Sequence, residues 1–242
     1  MNAQWTDAKT WHHLPAKDWE VRAMLAGAKT EIVRPAKWPL WADPEEHGPL
    51  LAQSPTGIAY YRDGKPTRHM TCPYGLPGDG IYIREAWAPG DLIFDNHVCS
   101  PPRWVWYRAD DSLRCFDGTN AADPDMRRPS QWQPSSRMPR ELSRLRRIVK
   151  SVRVERVQNI TEAGALAEGM GGVTFEDLLG MGAWIDIARA WGYCQDSWPM
   201  PGTMEEQWVS ELAMWERFEL IWRLAYPDSW ERNDWIWVVS WA

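Results

Sequence analysis

Gly80-Ile81-Tyr82-Ile83-Arg84-Glu85-Ala86-Trp87 alternates its side chains directly after a Pro77-Gly78-Asp79 turn. A period of two predicts a strand, with Ile81, Ile83, Glu85 and Trp87 on one face. Working outward, Trp104-Val105-Trp106-Tyr107-Arg108 reads as a second strand. Residues 147–157 read as a third, with Ile148, Val152 and Val154 on one face. Near the end, Trp235, Trp237, Val239 and Trp241 alternate with Ile236 and Val238. That strand is apolar on both faces and is expected at the centre of a sheet. Residues 35–79 are rich in Pro and Gly and read as long connections with one short strand at 58–62, while 110–136 read as a surface excursion.

Helices are predicted between these strands. Asp18 is a good N-cap, Val21, Met24 and Leu25 fall at helical spacing, and Gly27 is placed to end the helix. Thr161 caps a short helix through Glu168, ended by Gly169. Residues 171–202 read as an insertion, helical around 175–191. Thr203 and Glu206 then form a capping box, and Trp208, Leu212, Trp215 and Trp222 recur at near-helical intervals until Pro227. No internal repeat is present. The expected fold class is α+β, a small mixed β-barrel with helical insertions rather than a doubly wound parallel sheet. Its expected parts are an extension at 1–17, a barrel core with long loops at 18–170, the insertion at 171–202, and a helix and final strand at 203–242 that complete the barrel.

Composition sets the outer limits. The chain has 242 residues, 44% hydrophobic and 25% charged, which is ordinary globular composition. Its 19 tryptophans are not ordinary, and suit either a thick aromatic core or a surface on which bases stack. No basic cluster precedes an apolar run at the start, and no segment nears the roughly 18 consecutive apolar residues that span a bilayer, so a soluble cytoplasmic protein is expected. The four cysteines lack a CxxC pair. His69 with Cys72, and His97 with Cys99, resemble zinc half-sites without matching second pairs, so no metal and no cofactor are expected. Net charge is −6, yet residues 137–156 carry eight Arg and Lys against Glu141 and Glu155. Such a stretch either tracks a phosphate backbone or is a solvated face balanced by the acidic last third.

Gly27-Ala28-Lys29-Thr30-Glu31-Ile32-Val33-Arg34 resembles the opening signature of the ASCH family, a glycine then Lys-Thr and a nearby arginine after a short helix. Several segments follow in that family's order: Pro77-Gly78-Asp79 with the Ile81 strand, Met138-Pro139-Arg140, Val152-Arg153-Val154-Glu155-Arg156-Val157, the helix over 163–170, and Trp235-Ile236-Trp237-Val238-Val239. The resemblance covers roughly 18–170 and 215–241 in pieces, and the tryptophan-rich elaborations look like phage or prophage members. It implies a PUA-like barrel with a cleft beside the Lys29 turn, working in the cytoplasm of a bacterial host cell. It also implies ligands that are RNA or a modified nucleobase, nucleoside or nucleotide, with no membrane partner. In the family's amidohydrolases, which deacetylate acetylated cytidine, the matching lysine and a late-helix glutamate are catalytic, which points to Lys29 and Glu168. A threonine three residues after the lysine is also catalytic there; Ile32 stands at that position.

Chemically, Lys29 would act as a base once desolvated, or hold an oxyanion while charged, and Glu168 would orient it or shuttle a proton. Glu85 faces inward by parity, and an inward charge needs a partner, for which Arg34 and Arg140 are candidates. Thr30, Arg34, Glu85, Trp87, Arg140, Arg144, Arg146 and Arg147 are the expected nucleobase- or RNA-binding residues. Binding of RNA or a modified nucleobase ranks first; a hydrolase, either acting on acetylated cytidine or a ribonuclease, is the alternative. A structural phage protein is a third class, weakened by the charges around Lys29. The sequence leaves the oligomeric state open.

Overall fold

The computed structural model describes residues 8–37, 51–54, 57–62, 65–90, 104–115, 128–179 and 211–241. The fold is α+β. A five-stranded sheet is built from β1 (Trp11–Pro15), β2 (Glu31–Pro35), β6 (Gly80–Arg84), β10 (Arg146–Arg156) and β11 (Trp235–Trp241), in the order β1-β6-β10-β11-β2. β1 runs parallel to β6, and the other ladders are antiparallel. β11 lies between β10 and β2 and is buried on both faces, as its doubly apolar pattern requires. Trp237, Val239 and Trp241 enter one apolar cluster, and Ile236 and Val238 a second.

The first cluster draws on every strand of this sheet: Leu14, Ile32, Ile81, Ile83 and Val152 join the β11 residues there. The ring is not closed, because no ladder joins its edges β1 and β2. Instead α1 (Asp18–Leu25), which links those edges along the chain, contributes Val21 and Met24 to the same cluster. Parity along β10 differs from the sequence expectation. A register shift between Val149 and Ser151 flips the faces, so Val149 and not Ile148 shares the core side with Val152 and Val154.

Two three-stranded sheets flank the first: β3 (Leu51–Ser54), β4 (Gly57–Arg62) and β5 (Lys65–Thr71), and β7 (Trp87–Pro89), β8 (Trp104–Tyr107) and β9 (Ser112–Cys115). The region expected to be mostly connection thus holds three strands. Its Pro66 is tolerated because it lies on an edge strand beside a register shift at Tyr60/Tyr61. α2 (Glu162–Ala167) is capped by Thr161 as expected, its hydroxyl accepting from the Gly164 amide at 3.1 Å. α3 (Phe175–Leu179) opens the region expected to be an insertion, and Leu178 anchors it in the second cluster. The rest of that insertion, and the Thr203/Glu206 capping box, lie outside the described residues.

α4 (Met214–Ala225) packs Phe218, Leu220, Ile221 and Trp222 into the second cluster. Trp215, expected in the buried stripe, is 44% exposed. The Glu162 carboxylate accepts from the amides of Met214 and Trp215 at 2.9 and 3.1 Å, placing a negative charge on the N-terminus of α4 and tying α2 to it. No described helix is long and apolar enough to cross a membrane.

Candidate functional site

α1 ends near Gly27, and the Ala28 and Lys29 amides both donate to the Ala23 carbonyl, which turns Lys29 inward at the start of β2. Lys29 is 1% exposed. Its ammonium lies 2.7 Å from Glu168 Oε1, donates to the Glu168 carbonyl at 2.8 Å, and stands 3.6 Å from Glu20 Oε1. Arg34, on β2, donates to Glu20 Oε1 at 2.7 Å and reaches Glu168 Oε1 at 3.6 Å. Two cations and two carboxylates therefore balance in a nearly dry setting, the arrangement in which buried charges are tolerable.

Gly169 makes this approach possible. Its φ is +92°, and a Cβ there would lie 2.9 Å from Ala23 Cβ and 3.1 Å from Lys29 Cβ. Only glycine lets the chain after α2 lie down on Lys29 and place Glu168 beside it.

Environment splits the two carboxyls. Burial alone would raise Glu20, but Arg34, Lys29 and the Lys17 amide outweigh it and hold Glu20 at about 2. Burial dominates at Glu168 and pushes it up to about 7, with Lys29 and Arg34 opposing only in part. Burial also lowers Lys29, against the pull of Glu168 and Glu20.

Beside this quartet opens a cavity of about 290 Å³, lined by Glu20, Arg34 and Glu168 and walled by Trp19, Phe218, Trp222 and Tyr226. Two buried polar atoms on its lining residues have no hydrogen-bond partner: Trp19 Nε1, a donor, and Glu168 Oε2, an acceptor. Lys29 does not line the cavity. A larger groove of about 1030 Å³ adjoins it, sharing Ala16, Lys17, Trp19 and Ser135.

No family model, curated protein or solved structure matches this chain.

Of the sequence-selected residues, Lys29, Arg34 and Glu168 meet here. Glu85 does not. It is fully buried at the end of β6, where Arg144, rather than Arg34 or Arg140, grips it bidentately with two 2.8 Å bonds while also holding Asp110. Burial raises the Glu85 carboxyl, with Arg144 opposing. This ion pair closes off Arg144 as a phosphate ligand. Arg147 spends its donors on the Met24 and Arg146 carbonyls. Thr30 is exposed at the start of β2, with its backbone bonded to Ala167 and Trp241, and does not line the cavity. Trp87 packs on a third cluster of Val105, Tyr107, Met138 and Leu142. Arg140 and Arg146 lie over the Trp11 ring at 4.6 and 5.9 Å. Ile32 is wholly buried in the first cluster.

Sequence reading missed Trp19 and Glu20. Their only local signal was an acidic residue in the first helical turn, where Glu20 Oε2 accepts from the Lys17 amide at 2.9 Å and makes Lys17, not Asp18, the N-cap.

Proposed function

We propose that the cavity beside Glu168 binds a nucleobase or nucleoside, free or within RNA, in an ASCH-type, PUA-like protein of the phage or prophage kind. The observation that carries this reading is the unpartnered donor and acceptor, Trp19 Nε1 and Glu168 Oε2, on one aromatic cavity. An unsatisfied buried polar group costs about 1–3 kcal/mol. An exocyclic amine next to a ring acceptor, as on the pairing edge of cytosine, satisfies both atoms at once. Tyr226, half-buried on the cavity wall with the Trp222 ring 4.6 Å from it, offers the aromatic ring on which a base stacks. The five-stranded sheet, whose strands all feed one cluster, fits an incompletely closed PUA-like barrel.

A second reading is hydrolysis of acetylated cytidine, or cleavage of RNA. It is favoured by Glu168, which at about 7 titrates where a carboxyl serves as both acid and base near neutral pH. Binding ranks ahead because Lys29 is walled off from the cavity and Ile32 faces apolar core.

Calorimetric titration with cytidine, uridine and acetylated cytidine, followed by chromatography of the mixtures, tests both. Cytidine is expected to bind, Glu168→Gln to weaken it about tenfold, one charged hydrogen bond's worth, and acetylated cytidine to be recovered intact. Turnover lost in Glu168→Gln favours the second reading, and no binding to any nucleoside overturns both.

A further inference from the structure

The outer face of the five-stranded sheet carries a cationic and aromatic strip. Register places Trp11 and His13 of β1 beside Gly80 and Tyr82 of β6, and Tyr82 beside Arg146 of β10. These side chains point away from the core, which takes Leu14, Ile81, Ile83 and Val149 from the alternate positions. The Trp11 indole is bedded on the bare backbone of Gly80, where a Cβ would come within 2.5 Å of the ring. Above it sit the guanidiniums of Arg140 and Arg146. Arg84 lies 5.6 Å over the Tyr82 ring and donates to the Ser136 carbonyl at 3.2 Å.

Arg84, Arg140 and Arg146 form no ion pair among the described residues. That separates them from Arg144 and Arg153, which are neutralised by Glu85, Asp110, Glu31 and Glu155. Three positive charges held in place by aromatic rings, on a chain of net charge −6, are a local concentration rather than a by-product of basic composition. Four residues along β1, at about 3.3 Å each, carry the strip roughly 13 Å from Trp11 to Pro15. There it meets the cavity: Pro15 and Ala16 line the pocket, the Ala16 amide donates to the Arg84 carbonyl at 2.8 Å, and Ser135 next to Ser136 lines it too.

We infer that this strip is a second site, which binds the phosphates of single-stranded RNA and leads the strand into the pocket. Phosphate binding to Arg84, Arg140 and Arg146 stands by itself. Only the strand's path into the cavity rests on the nucleobase reading of that cavity.

Fluorescence anisotropy of a labelled single-stranded RNA 12-mer over a salt series tests the strip in the full chain. Because none of the three arginines has an acidic partner to lose, the triple variant Arg84→Ala, Arg140→Ala, Arg146→Ala is expected to fold, with circular dichroism as the check. Each single-strand phosphate contact adds about 0.7 to the slope of log affinity on log salt, so the triple variant is expected to lose about 2 from that slope and to bind at least about tenfold more weakly. A single-stranded DNA 12-mer bound with the same slope supports the strip, since phosphates are the recognised groups. Wild-type protein that ignores RNA at low salt, a triple variant indistinguishable from wild type, or duplex bound as well as single strand overturns the inference. Nucleoside binding that fails while the slope behaves as described counts against the pocket alone.

Discussion

Replacing Lys29 by methionine keeps most of the side-chain volume and removes the cation between Glu20 and Glu168. Lys29 makes contacts of 2.7 and 2.8 Å to Glu168 and 3.6 Å to Glu20, with no solvent to take its place. Removing one partner of a buried ion pair costs about 3–5 kcal/mol. At roughly 2–4 °C per kcal/mol for a chain of this size, Tm falls by about 6–20 °C at about pH 8. The loss depends on pH. Glu168 stands at about 7 in the fold against an ordinary 4.5. A carboxyl raised in this way contributes stability that is fully present below its unfolded value and is lost as pH rises through the folded one. At about pH 5 Glu168 is largely protonated in the wild type, so deleting Lys29 leaves the Glu168 carbonyl and the weaker Glu20 contact unmade but no longer strands a charged Glu168, and the cost falls to roughly half. Thermal denaturation of both proteins at the two pH values measures it. A loss below about 1 kcal/mol, or one equal at both pH values, refutes the assignment of Lys29 and Glu168 as a coupled buried pair.

Gly169→Ala places a Cβ at φ +92° and within 2.9 Å of Ala23, so urea denaturation should show a loss of about 1–3 kcal/mol. Ile32→Thr, which supplies the threonine of the amidohydrolase pattern that this segment resembles, buries a hydroxyl in the first apolar cluster. It should cost about 1–3 kcal/mol and confer no deacetylation of acetylated cytidine, as chromatography would show. Glu85→Gln leaves Arg144 without its buried carboxylate and should destabilise by about 3–5 kcal/mol while leaving nucleoside affinity in calorimetry unchanged, because Glu85 does not line the cavity.

The β-strand side of the fold was legible where one physical rule dominated. β11 announced its central place by being apolar on both faces, and the Ile81 strand and the Thr161 cap followed from parity and capping. In β10 the strand and the core side of Val152 and Val154 are legible, but Ile148 is not: the register shift between Val149 and Ser151 reverses the faces on its side, and no residue in 146–156 advertises a bulge. At the site, Lys29 and Glu168 were reached through resemblance, whereas Glu20 and Trp19 were not. Their roles depend on which helix packs against β2, a tertiary fact invisible to local pattern. Glu85 was read correctly as buried and wrongly paired. Parity tells which way a side chain points, but its partner Arg144 lies 59 residues away. The basic run looked uniform in sequence, yet among the described residues Arg144 and Arg153 are neutralised by carboxylates while others, Arg140 and Arg146 among them, form no ion pair.

We propose that a base pairs with Trp19 Nε1 and Glu168 Oε2, the two buried atoms on the cavity's lining residues that have no partner. The most direct measurement is a crystal structure of the protein soaked with cytidine. The base should lie in the 290 Å³ cavity with its exocyclic amine hydrogen-bonded to Glu168 Oε2 and its ring against the aromatic wall. A cavity without density for the base, or cytidine bound only at another surface, contradicts the account.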